Sequence, residues 1–244
     1  MMRCVCVDSS SRRSSGAKPP PSGSAVQLTL DLDWGARSPI ALPRPRPVER
    51  DAEWSEGLPL ARCLHDLSTD ICAKVPVLSH IDAGQVGFSL SFARNRRGSG
   101  TYAFIVPLRF EGGAVTKKHG RRTYTMPPVD LQGREALYLI YLLAPRFFDL
   151  PQRRKLHTII HELYHISPEF DGDLRRFPGR RWAHGPSREA YDETIEGLTE
   201  LYLTASGGEW PEVTSFLRYS HRDCRRLFGG IRAPVIARPH PVPA

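Results

Sequence analysis

The chain has 244 residues, of which 40% are hydrophobic and 25% are charged, and these values are typical of a soluble globular protein. No stretch approaches the ~20 apolar residues that are needed to cross a bilayer, so a transmembrane protein is not expected. The formal net charge of +8 permits contact with nucleic acid or other anions without demonstrating it.

The two ends of the chain are predicted to lie outside the folded domain. Residues 1–51 are rich in Pro and Ser and predict a disordered arm, and residues 231–244 predict a Pro-rich tail. The domain is therefore expected over residues 52–230. The amino terminus lacks the apolar run of a secretion signal, and five cysteines are too few for a disulfide scaffold, so we expect reduced thiols and a cytoplasmic location.

The first half of the domain predicts one helix and several strands. Apolar residues recur at helical spacing between Leu60 and Val75, which indicates an amphipathic helix. Strict alternation over residues 86–92 and 102–110 indicates two strands, and the basic, glycine-containing segment between them favours a β-hairpin with one buried face. A polar, basic stretch over residues 114–126 predicts a second hairpin or a mobile loop.

The second half of the domain begins with a strand and then becomes helical. The nearly continuous apolar run Ala136–Ala144 is typical of a strand that is covered on both faces. Asp149 and Gln152 form a capping-box pattern for a helix that ends near Ile166, before a Ser-Pro pair. Two further helices are predicted, the first with a stripe of Tyr191, Ile195, Leu198 and Tyr202, and the second with Val213, Phe216, Leu217 and Cys224. This order of elements indicates an α+β fold.

The predicted helix after Asp149 carries the motif HExxH, as His161, Glu162 and His165. Residues four apart lie on one face of a helix, so both imidazoles can reach one ion. Neutral imidazole suits zinc, which in hydrolases keeps one coordination position for water. A carboxylate beside that position can take a proton from the water and later pass it to the leaving amine. The motif therefore predicts a zinc hydrolase with Glu162 as the general base.

Zinc needs a third protein ligand, and three alternatives remain open. His184 lies 19 residues after His165, and the intervening Gly- and Pro-containing loop can bring it back over the metal. Asp171 occupies the final position of an extended HExxHxxGxxH pattern, although Pro168 replaces its glycine. The third alternative is a glutamate of the following helix, and the candidates are Glu189, Glu193 and Glu196.

Two further residues lie close to the motif in the sequence or in the predicted fold. His157 precedes His161 by one helical turn, and we expect it to be a partly exposed helix residue. Tyr191 lies shortly after His184, where it can serve as an oxyanion donor or as a core residue.

The segment His161–Ile166, followed after a loop by His184-Gly185, resembles the SprT-like zincins and the phage metallopeptidase family. The resemblance covers roughly residues 60–205. It implies a zincin-like α+β fold, in which the HExxH helix packs on a small, mainly antiparallel sheet with further helices towards the carboxyl end. It also implies Zn²⁺ as the cofactor, with His161, His165 and His184 as its ligands and Glu162 as the catalytic base. The chain departs from SprT proteins in its longer interval between His165 and His184 and in lacking a cysteine-paired zinc ribbon.

Two functions from different classes fit these features. The first is zinc-dependent hydrolysis of a peptide or protein substrate, which can pair as an extended strand with a sheet edge near residues 136–144. The alternative is a non-catalytic, zinc-stabilised interaction module that is associated with DNA through the basic segments 94–122 and 175–181. A carboxylate beside an open coordination position favours the enzyme, because a purely structural site usually fills its fourth position with Cys or His.

Overall fold

The computed structural model describes Trp54 and residues 56–92, 101–178, 183 and 187–244, with the side chain of Arg188 left out. The predicted amino-terminal arm, the turn within residues 94–100 and His184 lie outside the described residues. The described residues form a mixed α+β fold with small sheets. The α-helices are α1 (Leu60–Lys74), α2 (Gln152–Tyr164), α3 (Arg188–Ala205) and α4 (His221–Phe228). The strands are β1 (Leu58–Pro59), β2 (Val86–Phe92), β3 (Ala103–Pro107), β4 (Thr116–His119), β5 (Arg122–Thr125), β6 (Asp130–Leu131), β7 (Arg134–Glu135), β8 (Tyr138–Ala144), β9 (Ile231–Arg232) and β10 (Val242–Pro243).

The central sheet has three strands in the order β2-β8-β3. β2 runs parallel to β8, whereas β3 runs antiparallel to it. The central sheet is therefore mixed, which corrects the expectation of a mainly antiparallel sheet beneath the HExxH helix.

The strands β2 and β3 do not form the predicted hairpin, because β8 lies between them. β8 is apolar along its whole length. As the central strand it pairs with β2 at one edge and with β3 at the other, and both of its faces are covered. Both edges of β8 are hydrogen-bonded within the sheet, and β2 and β3 are its outer strands.

The central sheet separates two apolar cores. On one face, side chains of all three strands pack in a large core against the helices; those from the sheet are Val86, Phe88, Ile105, Tyr138, Ile140 and Leu142. On the other face, Phe104, Val106, Leu139 and Tyr141 pack against a second, smaller layer. That layer contains the hairpin of β4 and β5, which confirms one of the two predictions for the basic stretch.

The residues that follow α4 also lie on this second layer. The Ser89 hydroxyl donates to the Pro234 carbonyl and accepts from the backbone N–H of Ile236. The Tyr141 hydroxyl donates to the Ala237 carbonyl, and β10 pairs with β5. The segment expected as a Pro-rich tail thus runs along the sheet and contributes Ile236 to the edge of the smaller core.

The observed bounds of the helices agree with the predicted bounds more closely than the observed capping residues agree with the predicted ones. α2 begins after Pro151 without a side-chain cap, so the capping box predicted from Asp149 is wrong. Asp149 instead accepts a hydrogen bond from the backbone N–H of His221 at the start of α4. The last predicted helix is divided into the 3-10 helix Glu212–Arg218 and α4. Ser220 caps α4 in a capping box with Asp223, which separates the two pieces.

Among the helices in the part of the chain that the structure describes, none has the length and apolarity needed to span a membrane.

Candidate metal centre

The HExxH residues lie at the carboxyl end of α2, where His165 is the C-cap residue, and this end is enclosed by the rest of the fold. α2 packs against α3, β3 and the 3-10 helix Glu212–Arg218. The exposed fraction is 0% for both His161 and Glu162 and 1% for His165. Polar groups that are buried this completely need partners, so the arrangement around them determines what the site can do.

The two motif histidines point the same nitrogen at each other. The Nε2 atoms of His161 and His165 are 2.8 Å apart, and the ring centroids are 4.6 Å apart. Tetrahedral zinc with Zn–N bonds of about 2.0–2.1 Å holds two nitrogen ligands about 3.3–3.4 Å apart. A small separation of the rings is therefore enough to admit the ion, and the donor set is one that zinc prefers. These two residues fit the metal that the sequence predicts.

Tyr191, in the first turn of α3, contacts both histidines. Its ring is stacked on that of His165 with an interplanar angle of 21°, and its centroid lies 5.1 Å from that of His161. Its hydroxyl oxygen is 3.2 Å from Nδ1 of His165. The hydroxyl of Tyr191 therefore faces Nδ1 of His165, whereas Nε2 of the same ring faces His161.

Glu162 is buried, and neither of its carboxylate oxygens accepts a hydrogen bond from a described residue. Burial raises the pKa of Glu162 to about 8, since a charged carboxylate is poorly solvated there. The pKa of Tyr191 is also raised, first by burial and next by the negative charge of Glu162. A cation at the histidines would lower the pKa of Glu162, because an opposite charge favours the ionised form.

Within the described residues, no group of three or more His, Cys, Asp or Glu side chains is arranged to hold a metal ion. The structure therefore does not bring Asp171, Glu189, Glu193 or Glu196 together with the two histidines as a third ligand. The Asp171 carboxylate accepts from the backbone N–H of Asp173, and Glu189 and Glu193 are exposed. The remaining candidate, His184, lies outside the described residues, between Ala183 and Ser187.

Glu196 belongs to a different cluster, which links α2 to α3. Its carboxylate accepts a hydrogen bond from Arg153, which also donates to Glu200. Nε2 of His157 lies 3.9 Å from the other Glu196 oxygen. His157 is only 1% exposed, so the prediction of a partly exposed residue is wrong. Burial and the nearby charges of Arg154 and Arg153 lower the pKa of His157 to about 3.

The loop after the motif is tied back onto the end of α2. The backbone N–H of Arg175 donates to the His165 carbonyl, and its guanidinium both donates to the Tyr164 carbonyl and lies over the Tyr164 ring. Phe177 then contacts the edge of Tyr191. These contacts pack the residues beyond the loop around the same aromatic group that surrounds the histidines.

No family model matches this chain, and neither the curated proteins nor the solved structures contain a significant match.

Proposed function

We propose that this protein is a cytoplasmic zinc-dependent metallopeptidase of zincin-like fold, related to the SprT-like and phage metallopeptidase families. His161, His165 and His184 hold Zn²⁺, and Glu162 is the general base. The substrate is a peptide or a protein.

The observation that carries this proposal is the pairing of convergent histidines with a buried, unsatisfied carboxylate on the same helical turn. Two Nε2 atoms only 2.8 Å apart form half of a zinc site. The Glu162 carboxylate has no structural partner among the described residues, although a buried polar group without one is costly. An ordinary core position would hold an apolar side chain there. A carboxylate that is buried without a partner, despite the unfavourable free energy of its burial, therefore indicates a chemical role.

In the bound state, zinc would polarise the scissile carbonyl and lower the pKa of a water to about 7. Glu162 would accept the proton of that water and transfer it to the departing amine nitrogen. The apolar residues around the motif, including Ile159, Ile160 and Leu163, exclude bulk water and strengthen the electrostatic interactions of the carboxylate. Each residue thus has one defined task, which is to ligate, to move a proton or to keep the site dry.

Zinc content per chain tests this proposal directly. After loading with zinc and dialysis, the wild type is expected to hold one equivalent, measured by elemental analysis. His165→Ala and His184→Ala should each fall well below one equivalent, while His119→Ala, an exposed histidine of β4, should be unchanged. One equivalent retained in His184→Ala would rule out His184 as the third ligand. A wild type that binds no zinc would contradict the proposal.

The burial of the motif favours a second candidate, a non-catalytic module with a closed zinc site. In this candidate the partner is nucleic acid, and the surface that fits it is the hairpin of β4 and β5. The hairpin carries Lys117, Lys118, Arg121 and Arg122, and no acidic residue occurs between Glu111 and Asp130. Lysine, arginine, threonine hydroxyls and the backbone N–H groups of a strand edge are the groups that contact phosphates.

Binding to a labelled DNA duplex of arbitrary sequence, followed by fluorescence anisotropy at several salt concentrations, tests this second candidate. The double charge reversal Lys118→Glu/Arg122→Glu should weaken binding at least about ten-fold and reduce the slope against log salt. The matched control Arg222→Glu/Arg225→Glu makes the same change in charge on α4, and we expect a smaller effect. If the wild type shows no salt-dependent binding, or if both double variants lose it equally, the hairpin is not a nucleic-acid surface.

A further inference from the structure

Tyr191 is held in a fixed orientation against the two motif histidines. Its position at the start of α3 is set by Ser187, whose hydroxyl accepts from the backbone N–H of Ala190 and whose carbonyl accepts from that of Tyr191. The side chain is only 4% exposed, and its ring is stacked on His165. The hydroxyl is therefore presented to one atom of that residue, Nδ1, at 3.2 Å.

The contact at Nδ1 bears on which nitrogen of His165 can bind a metal. A neutral imidazole carries one proton, and its other nitrogen offers a lone pair. If Nδ1–H donates to the Tyr191 oxygen, the lone pair is on Nε2, which faces His161. If the proton is instead on Nε2, that nitrogen is a donor and cannot ligate. The partner at Nδ1 therefore selects between a ligating and a non-ligating form of the ring.

We propose that Tyr191 is a positioning residue of the metal centre, which accepts the Nδ1–H of His165 and so keeps its Nε2 lone pair directed at the ion. This inference rests on the proposed function, because it assigns a role towards the zinc that the two histidines would hold. Tyr191 does not contact the reacting atoms; it acts through His165. The partner of a ligating histidine is usually a carboxylate or a backbone carbonyl, and here a phenol oxygen takes that place.

The role of the Tyr191 hydroxyl can be tested independently of the role of its ring. The ring fills space between His161, His165, Tyr164 and Phe177, so it contributes to packing whatever the hydroxyl does. Tyr191→Phe keeps that ring and removes only the oxygen. A structural role of the ring would leave this variant intact, whereas a positioning role of the hydroxyl would not.

The experiment compares Tyr191→Phe with Tyr202→Phe, a matched control on the same helix. The Tyr202 hydroxyl donates to Asp70 on α1, far along α3 from the motif. Zinc dissociation constants, measured by competition with a chromophoric chelator, should rise about 10–100-fold for Tyr191→Phe and by less than about 2-fold for Tyr202→Phe. Unchanged zinc affinity in Tyr191→Phe would overturn the inference, as would an equal loss in both variants.

A second measurement does not depend on any variant or on bound metal. Long-range ¹H–¹⁵N NMR of the metal-free wild type reports which nitrogen of His165 carries the proton. We expect the Nδ1–H form in the wild type and a shift towards the Nε2–H form in Tyr191→Phe. A wild type in which Nε2 carries the proton would overturn the inference even where zinc binds. Failure of the wild type to bind zinc, with the Nδ1–H form present, would count against the proposed function and leave the hydrogen bond itself established.

Discussion

Replacing Glu162 with Gln is expected to leave zinc content at one equivalent and to reduce peptide hydrolysis by about 10²–10⁴-fold. Gln has the size and polarity of a protonated glutamate but cannot accept a proton. Because burial raises the pKa of Glu162 to about 8, the metal-free protein at neutral pH already holds a largely protonated side chain there. The variant should therefore fold as the wild type does, and the loss should be confined to proton transfer.

The measurement pairs elemental zinc analysis with hydrolysis of a fluorescence-quenched, unfolded protein substrate. Glu169→Gln is the matched control, since this glutamate lies in the exposed part of the loop after the motif. It should retain both zinc and activity. Full hydrolysis by Glu162→Gln would rule out Glu162 as the base. Zinc binding without hydrolysis, even in the wild type, would instead favour the non-catalytic module with its closed site.

The HExxH pair could be read from the sequence because its geometry is local. His161 and His165 are four residues apart on one helix, and the fold of that helix alone fixes their convergence. The contact between Tyr191 and His165 spans 26 residues and two helices, so it depends on how α2 and α3 pack. The sequence placed Tyr191 on the correct helix but gave no direction for its hydroxyl. The same limit applies to His157, which is buried and lies 3.9 Å from Glu196 of α3.

For the central sheet, too, the strands could be predicted from the local sequence, whereas their order depends on tertiary packing. Alternation predicted β2 and β3, and the apolar run predicted β8 as a strand covered on both faces. Pairing was predicted from proximity in the sequence, and that assumption failed because β8 gains more burial between the other two strands than at an edge. The segment after α4 was misjudged for a related reason. Its prolines disfavour regular structure, yet backbone carbonyls and one N–H still bond to Ser89 and Tyr141 of the sheet.

The central strand is also joined to the loop that follows α2, through the hydroxyl of Tyr138. The Tyr138 hydroxyl donates to the Asp173 carbonyl and accepts from the backbone N–H of Gly172, both at 2.9 Å. Gly172 adopts a φ of +87°, and an added Cβ would meet the Arg109 side chain at 2.5 Å, so this turn of the loop requires glycine. Tyr138 is fully buried.

Tyr138→Phe is therefore expected to lower the free energy of unfolding by about 1–3 kcal/mol, because it leaves the buried N–H of Gly172 unpaired, while the Asp173 carbonyl still accepts from the backbone N–H of Ser167. Tyr141→Phe is the matched control on the same strand, on its opposite face. Its hydroxyl makes one longer hydrogen bond, of 3.3 Å, to Ala237, so we expect a loss below about 1 kcal/mol. Urea unfolding followed by circular dichroism measures both. Equal losses in the two variants would show that the Tyr138 hydroxyl does not hold the loop, whereas the expected difference would show that this hydroxyl helps to anchor the segment leaving His165 to the sheet.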